Sequence, residues 1–184
     1  METTKGIEII ERMMAESRKS LHRNSFYFIL WAVLLVPAAL VEYAMDSPGE
    51  SWFVWPIAGA IGGVISGIYG YREGKRTGAQ TNADRVSNYT WGGFGFALIF
   101  AIGYSLSHGA TPHALILLLA GLATFISGGT AKFAPFVWGG IAMGIAAVLC
   151  GFVLDASLHP LVFAIAIVLG YFIPGMMLRR TENA

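Results

Sequence analysis

The chain alternates six long uncharged runs with short polar connections: Phe26 to Val41, Trp52 to Tyr71, Tyr89 to Leu106, Pro112 to Thr130, Phe133 to Leu154 and Leu158 to Leu178. Each is close to the ~17–25 residues that a helix needs to cross the hydrocarbon core of a bilayer. Lipid offers the backbone no hydrogen-bond partners, so runs of this kind predict helices that satisfy their own N–H and C=O groups. Ahead of the first run, Ile7, Ile10, Met14 and Leu21 recur at helical spacing, with Glu8, Glu11, Arg12, Glu16, Arg18 and Lys19 between them. That pattern predicts an amphipathic helix. The expected architecture is all-α, a polytopic membrane bundle forming a single domain over residues 1–184. Within it, residues 1–23 are an amphipathic cytoplasmic helix, 24–178 six transmembrane helices and 179–184 a cytoplasmic tail. Short loops make consecutive helices antiparallel neighbours, which groups the spans as three hairpins, one with two, three with four and five with six.

Charge orients this pattern. All twelve Lys and Arg residues fall before span one, between spans two and three, between four and five, or after six. The alternate loops carry only the acids Glu42, Asp46, Glu50 and Asp155 and the histidines His108, His113 and His159. Basic loops stay on the cytoplasmic side, so both termini are expected there. The net charge of +1 leaves no basic stripe for nucleic acid. Cys150 is the only cysteine, which excludes an intramolecular disulfide and a thiolate metal cluster. A charged and polar N-terminal stretch with no small-residue cleavage site after the first apolar run argues against a signal peptide.

Two internal similarities compete. Trp31-Ala32, Trp91-Gly92-Gly93 and Trp138-Gly139-Gly140 near the starts of the odd spans suit three two-helix units in one orientation. Ile57-Ala58, Ile61, Val64 and Gly67 against Ile141-Ala142, Ile145, Val148 and Gly151 suit an inverted pair of spans two and five. Gly59, Gly63 and Gly67 form one ridge of span two, with Gly62, Ser66 and Gly70 beside it, and Gly140 and Gly144 repeat the spacing in span five. Ridges without side chains allow close helix contact, so Gly59, Gly63, Gly67, Gly140 and Gly144 are the expected packing positions, and span two the expected central element. Pro37 inside span one should free a carbonyl and kink the helix, and Pro174-Gly175 should stop or bend span six.

Candidate chemistry gathers on the face that carries no base. Glu42, His108, His113, Asp155 and His159 are the candidate binding residues, because carboxylate and imidazole bind divalent metals and imidazole titrates near neutral pH. Glu42 stands out, since an acid at the end of a hydrophobic helix must reach headgroups, take a proton or find a partner. No acid or base lies in the centre of any span, and no nucleophile, zinc-protease or phosphate-loop motif is present, so no catalytic residue is nominated and no cofactor is required. A divalent metal at the outer face stays open, and an intramembrane metal enzyme would need the histidines to converge. The runs Ser25-Phe-Tyr-Phe-Ile-Leu-Trp31, Trp52-Phe-Val-Trp-Pro-Ile57, Gly63-Val-Ile-Ser-Gly-Ile-Tyr-Gly-Tyr71, Thr124-Phe-Ile-Ser-Gly-Gly129 and Gly170-Tyr-Phe-Ile-Pro-Gly175 together resemble a family of small bacterial six-helix membrane proteins with no established function. The resemblance implies a bacterial inner-membrane location and supplies no site residues. The expected function is non-enzymatic, binding or passing a small uncharged or apolar solute with Tyr69, Tyr104, Thr124, Ser127 and Tyr171 as polar contacts. The alternative is a membrane-embedded sensor or regulator whose N-terminal helix meets a cytoplasmic protein. Lipid is the expected surround, and self-association is compatible with either.

Overall fold

The computed structural model describes residues 25–45, 53–77 and 82–182. Among them every regular element is helical, and six stretches are long and apolar enough to cross a membrane. They are α1 (Ser25–Met45), α2 (Val54–Thr77), α3 (Asn82–Ser107), α4 (His113–Thr130), α5 (Ala134–Phe152) and a composite sixth span. That last span starts with a 3-10 turn at Ala156–Leu158, continues as α6 (His159–Ile167), widens into a π turn at Val168–Phe172 and ends as α7 (Ile173–Glu182). The amphipathic helix expected over 1–23, together with Asp46 and Glu50, lies outside the described residues.

The core is built where backbones meet. A Cβ on Gly121 of α4 would lie 2.9 Å from the Gly140 carbonyl of α5, and one on Gly140 would lie 2.7 Å from the Phe125 amide. Gly128 sits equally close under Phe136, and Gly139 meets Gly170 of the π turn backbone to backbone. Such approach recovers the dispersion contacts that hold helices together in lipid. Leu117, Phe136, Met143, Phe163 and Ile167 fill the space between these seams and are fully buried. The tightest seam, α4 on α5, therefore joins spans that the hairpin scheme assigned to different units. The turn between them is a Schellman cap, with Phe133 N–H on the Gly128 carbonyl and Lys132 N–H on that of Gly129.

The expected role of span two is overturned. Among the described residues nothing lies within 4 Å of a Cβ built on Gly59, Gly63 or Gly67, and Val64 between them is 62% exposed. The neighbouring ridge faces α1 instead: Gly62 sits against the Trp31 ring and Leu34, and Gly70 against the Tyr27 hydroxyl. Both ridges are equally smooth, but the one that α1 covers is rotated one residue from the one chosen. α2 is thus at the edge of the bundle, 11% buried like α3, against 39% for α4 and α5 and 50% for the last span. Among the described residues Gly144 is open as well, whereas a Cβ on Gly140 would meet Gly121 and Phe125 of α4.

Span six does not stop at Pro174-Gly175, since α7 carries the helix to Glu182. Proline lacks an N–H and its ring crowds the carbonyl four residues earlier, here that of Gly170. The π turn covers this stretch, and wide turns of that kind occur as single insertions in helices. α1 stays helical through Pro37.

Candidate functional site

Glu42 lies in the last turn of α1, one residue past the apolar run, and finds two partners from other helices. Trp55 at the start of α2 donates its Nε1–H to Glu42 Oε2 at 2.7 Å. His113, the first residue of α4, places Nε2 3.1 Å from the same oxygen. The Glu42 side chain is 13% exposed and that of His113 3%. Trp55 and Phe163 both stand edge-on to the His113 ring, at 5.4 Å between centroids. Three helices are thus tied at one carboxylate oxygen above an aromatic floor supplied by α6. Pro56 and Pro112 sit beside Trp55 and His113 where those helices enter, in first-turn positions that need no N–H partner.

His159, at the start of α6, lies behind this group, its ring 6.3 Å from that of His113. Its Nε2 is 3.1 Å from the Leu154 carbonyl, which can only accept, so that nitrogen carries the hydrogen. In the neutral ring Nδ1 then accepts from the Thr111 hydroxyl at 2.8 Å. Both ring nitrogens of His159 are satisfied, and the loops before α4 and α6 are pinned together. His113 Nδ1 is buried and finds no partner among the described residues.

Of the expected binding residues, Glu42, His113 and His159 come together. His108 does not: it is exposed at the end of α3, stacked on Tyr104 and bonded to the Ser107 hydroxyl. Asp155 is exposed in the α5–α6 connection, because the chain turns before α6 and leaves it outside the ring pair. Three histidines therefore do not converge, and among the described residues no three His, Cys, Asp or Glu side chains form a metal-holding group. Trp55, Thr111 and Phe163 complete the cluster although sequence reasoning missed them. Nothing in the local pattern pairs the Trp55 indole with an acid thirteen residues away.

Energetically the cluster is exposed to loss. Removing one member leaves the hydrogen-bonding group of the other unpaired in a part-buried site, at a cost of roughly 1–3 kcal/mol. A sensitive site at one end of a filled bundle contrasts with its middle. Thr124 bonds the Ala120 carbonyl of its own helix, Ser127 that of Ala123, and Tyr171 is buried against Thr124 and the rings of Phe28 and Trp91. These polar groups are engaged inside the packing. An apolar groove of about 260 Å³ lies on the outside, between α1 and the last span, lined by Val36, Leu40, Leu161, Ala164, Ile165, Val168 and Leu169.

Fold and site together define a multi-pass helical membrane protein with a buried acid–imidazole–indole cluster at one end. Comparison with protein-family models, with curated proteins and with solved structures finds no match to this chain.

Proposed function

We propose that this protein is a non-enzymatic sensor or regulator of the bacterial inner membrane, with both termini in the cytoplasm and the Glu42 cluster at the outer face. The observation that carries the reading is the convergence of Glu42, Trp55 and His113 from three helices. An ionisable group at a hydrophobic helix end is expensive to keep unless it is used, and among the described residues this one has His113 at hydrogen-bond distance with His159 behind it. In this reading a change of protonation or of divalent-cation occupancy at the cluster alters how α1 and α2 sit on α4. The cytoplasmic ends of the same helices carry that change to a protein partner at the N-terminal segment. The orientation rests on the one-sided Lys and Arg distribution, and the bacterial location on the resemblance described above.

The test is a distance measurement in lipid vesicles, with Cys150→Ala removing the native thiol and spin labels at the inner-end positions Tyr71 and Trp138. The expected result is a distance that changes with the external buffer in the wild type and is constant in Glu42→Gln. A constant wild-type distance, with a small neutral solute leaking from the same vesicles, would transfer the assignment to solute passage. The groove between α1 and the last span supports a second reading, a site for an apolar solute or an acyl chain, since none of its seven lining side chains is polar.

A further inference from the structure

We infer that Glu42 and His113 hold one proton between them, and that this shared proton latches the outer half of α1, beyond Pro37, against the head of α4. The inference rests on the sensing reading and names the species sensed. With no proton on the pair, a carboxylate faces a neutral imidazole whose own N–H can still donate to it, and what changes is that the site carries a full negative charge. With two, a carboxylic acid faces an imidazolium and the site is positive. With one, the pair is neutral as a whole, whichever atom holds the hydrogen, and the 3.1 Å contact is a hydrogen bond in either arrangement. An apolar surround favours the neutral pair over both charged ones. No Lys or Arg can substitute for the proton, because all twelve belong to the opposite span ends or the segments beyond them.

The other groups at this end do not change that count. Trp55 from α2 and Phe163 from α6 do not titrate. His159 from α6 is engaged with Thr111 and Leu154, Tyr43 on α1 is 42% exposed, and Asp155 after α5 is exposed. Asp46 and Glu50 lie outside the described residues and add negative charge only.

α1 supplies the moving part. Its inner half is embedded: Phe28 and Ala32 are in the core, and Ile29 lies under Gly175 of α7. Beyond Pro37, Ala38 and Ala39 are buried, Ala39 within the core, while Leu40, Val41 and Tyr43 are each more than 40% exposed and the apolar groove separates Val36 and Leu40 from the last span. Proline removes one backbone hydrogen bond at the boundary between these halves. The outer half therefore touches the core through the methyl groups of Ala38 and Ala39 and is held at its end by Glu42, with Pro37 as the point at which it can bend. Losing the shared proton leaves a charge that is better solvated outside the bundle, and the groove opens as the half-helix leaves.

The experiment places spin labels at Tyr43 and Phe152, both exposed at this end, in the full chain with Cys150→Ala in lipid nanodiscs, and titrates pH. The expected result is one short distance over a central pH range and a longer population that grows on the alkaline side. Glu42→Gln should abolish the alkaline change, and Pro37→Ala should reduce the longer population. A wild-type distance that is constant at all pH overturns the latch, and this arm decides alone if Glu42→Gln fails to assemble. An alkaline change that persists in Glu42→Gln also overturns it, as does one that appears only when zinc is added. Opening at this end with no change between labels at Tyr71 and Trp138 supports the latch and sinks the sensing reading instead.

Discussion

One methyl group decides whether α4 and α5 can meet. On Gly121 it would fall 2.9 Å from a carbonyl oxygen that cannot move without its helix, so Gly121→Ala should destabilise the bundle by roughly 1–3 kcal/mol in the manner of an overpacked core. Gly63→Leu should leave the melting temperature unchanged, since none of the described residues lies near that position. Thermal unfolding of both variants in one detergent checks the pair, and a larger loss at Gly63 than at Gly121 would contradict the seam described here. At the cluster, Trp55→Phe keeps the ring against His113 and removes only the donor to Glu42, so the same measurement should show a loss of roughly 1–3 kcal/mol. Glu42, His113 and His159 were legible as candidates because few ionisable groups exist on that face. His108 was grouped with them wrongly, because loop residues close in sequence to His113 need not turn inward. The glycines of α2 were misjudged for a physical reason: in lipid both faces of a helix are apolar, so smoothness marks a ridge that can pack without saying whether anything packs there.

At the scale of the element, the α4–α5 turn carries a conformational cost in plain view. Lys132 occupies the left-handed position of the Schellman cap at φ 50°, where a side chain clashes with its own backbone and glycine is the usual residue. Lys132→Gly should raise stability by roughly 1 kcal/mol, read from the shift in thermal midpoint, while Lys132→Val should lower it because branching worsens the same clash. The single base between spans four and five sits at this strained residue, so a topological signal and a favourable backbone compete for one position. Helix positions were readable from runs of apolar residues, although α3 begins at Asn82, seven residues before its apolar run opens at Tyr89. The π turn was not readable. Pro174-Gly175 advertises a break, but whether the chain breaks, bends or widens depends on what surrounds it, here the backbone of Gly139 against Gly170.

For the whole molecule, the organisation runs from a closed core of α4, α5 and the last span, through α1 laid across it, to α2 and α3 at the edge. The Glu42 cluster sits where the edge helix, the crossing helix and the core meet, which is why a local chemical change there has a structural lever. The sequence pattern made the number of spans and their ends plain, because charge is excluded from the bilayer core, but it held no information on which helices are central. Orientation is a prediction of the same charge pattern: the cluster should face outward and the segment joining α2 to α3 inward. With Cys150 replaced, a thiol introduced at Ser47 should react with a membrane-impermeant maleimide in intact cells, and one at Thr77 should react only after the membrane is opened. The reverse labelling would place Glu42 and His113 toward the cytoplasm and make the latch answer to internal rather than external pH. Labelling of both in intact cells would mean that the chain inserts in two orientations, and a one-directional sensor could not be built from it.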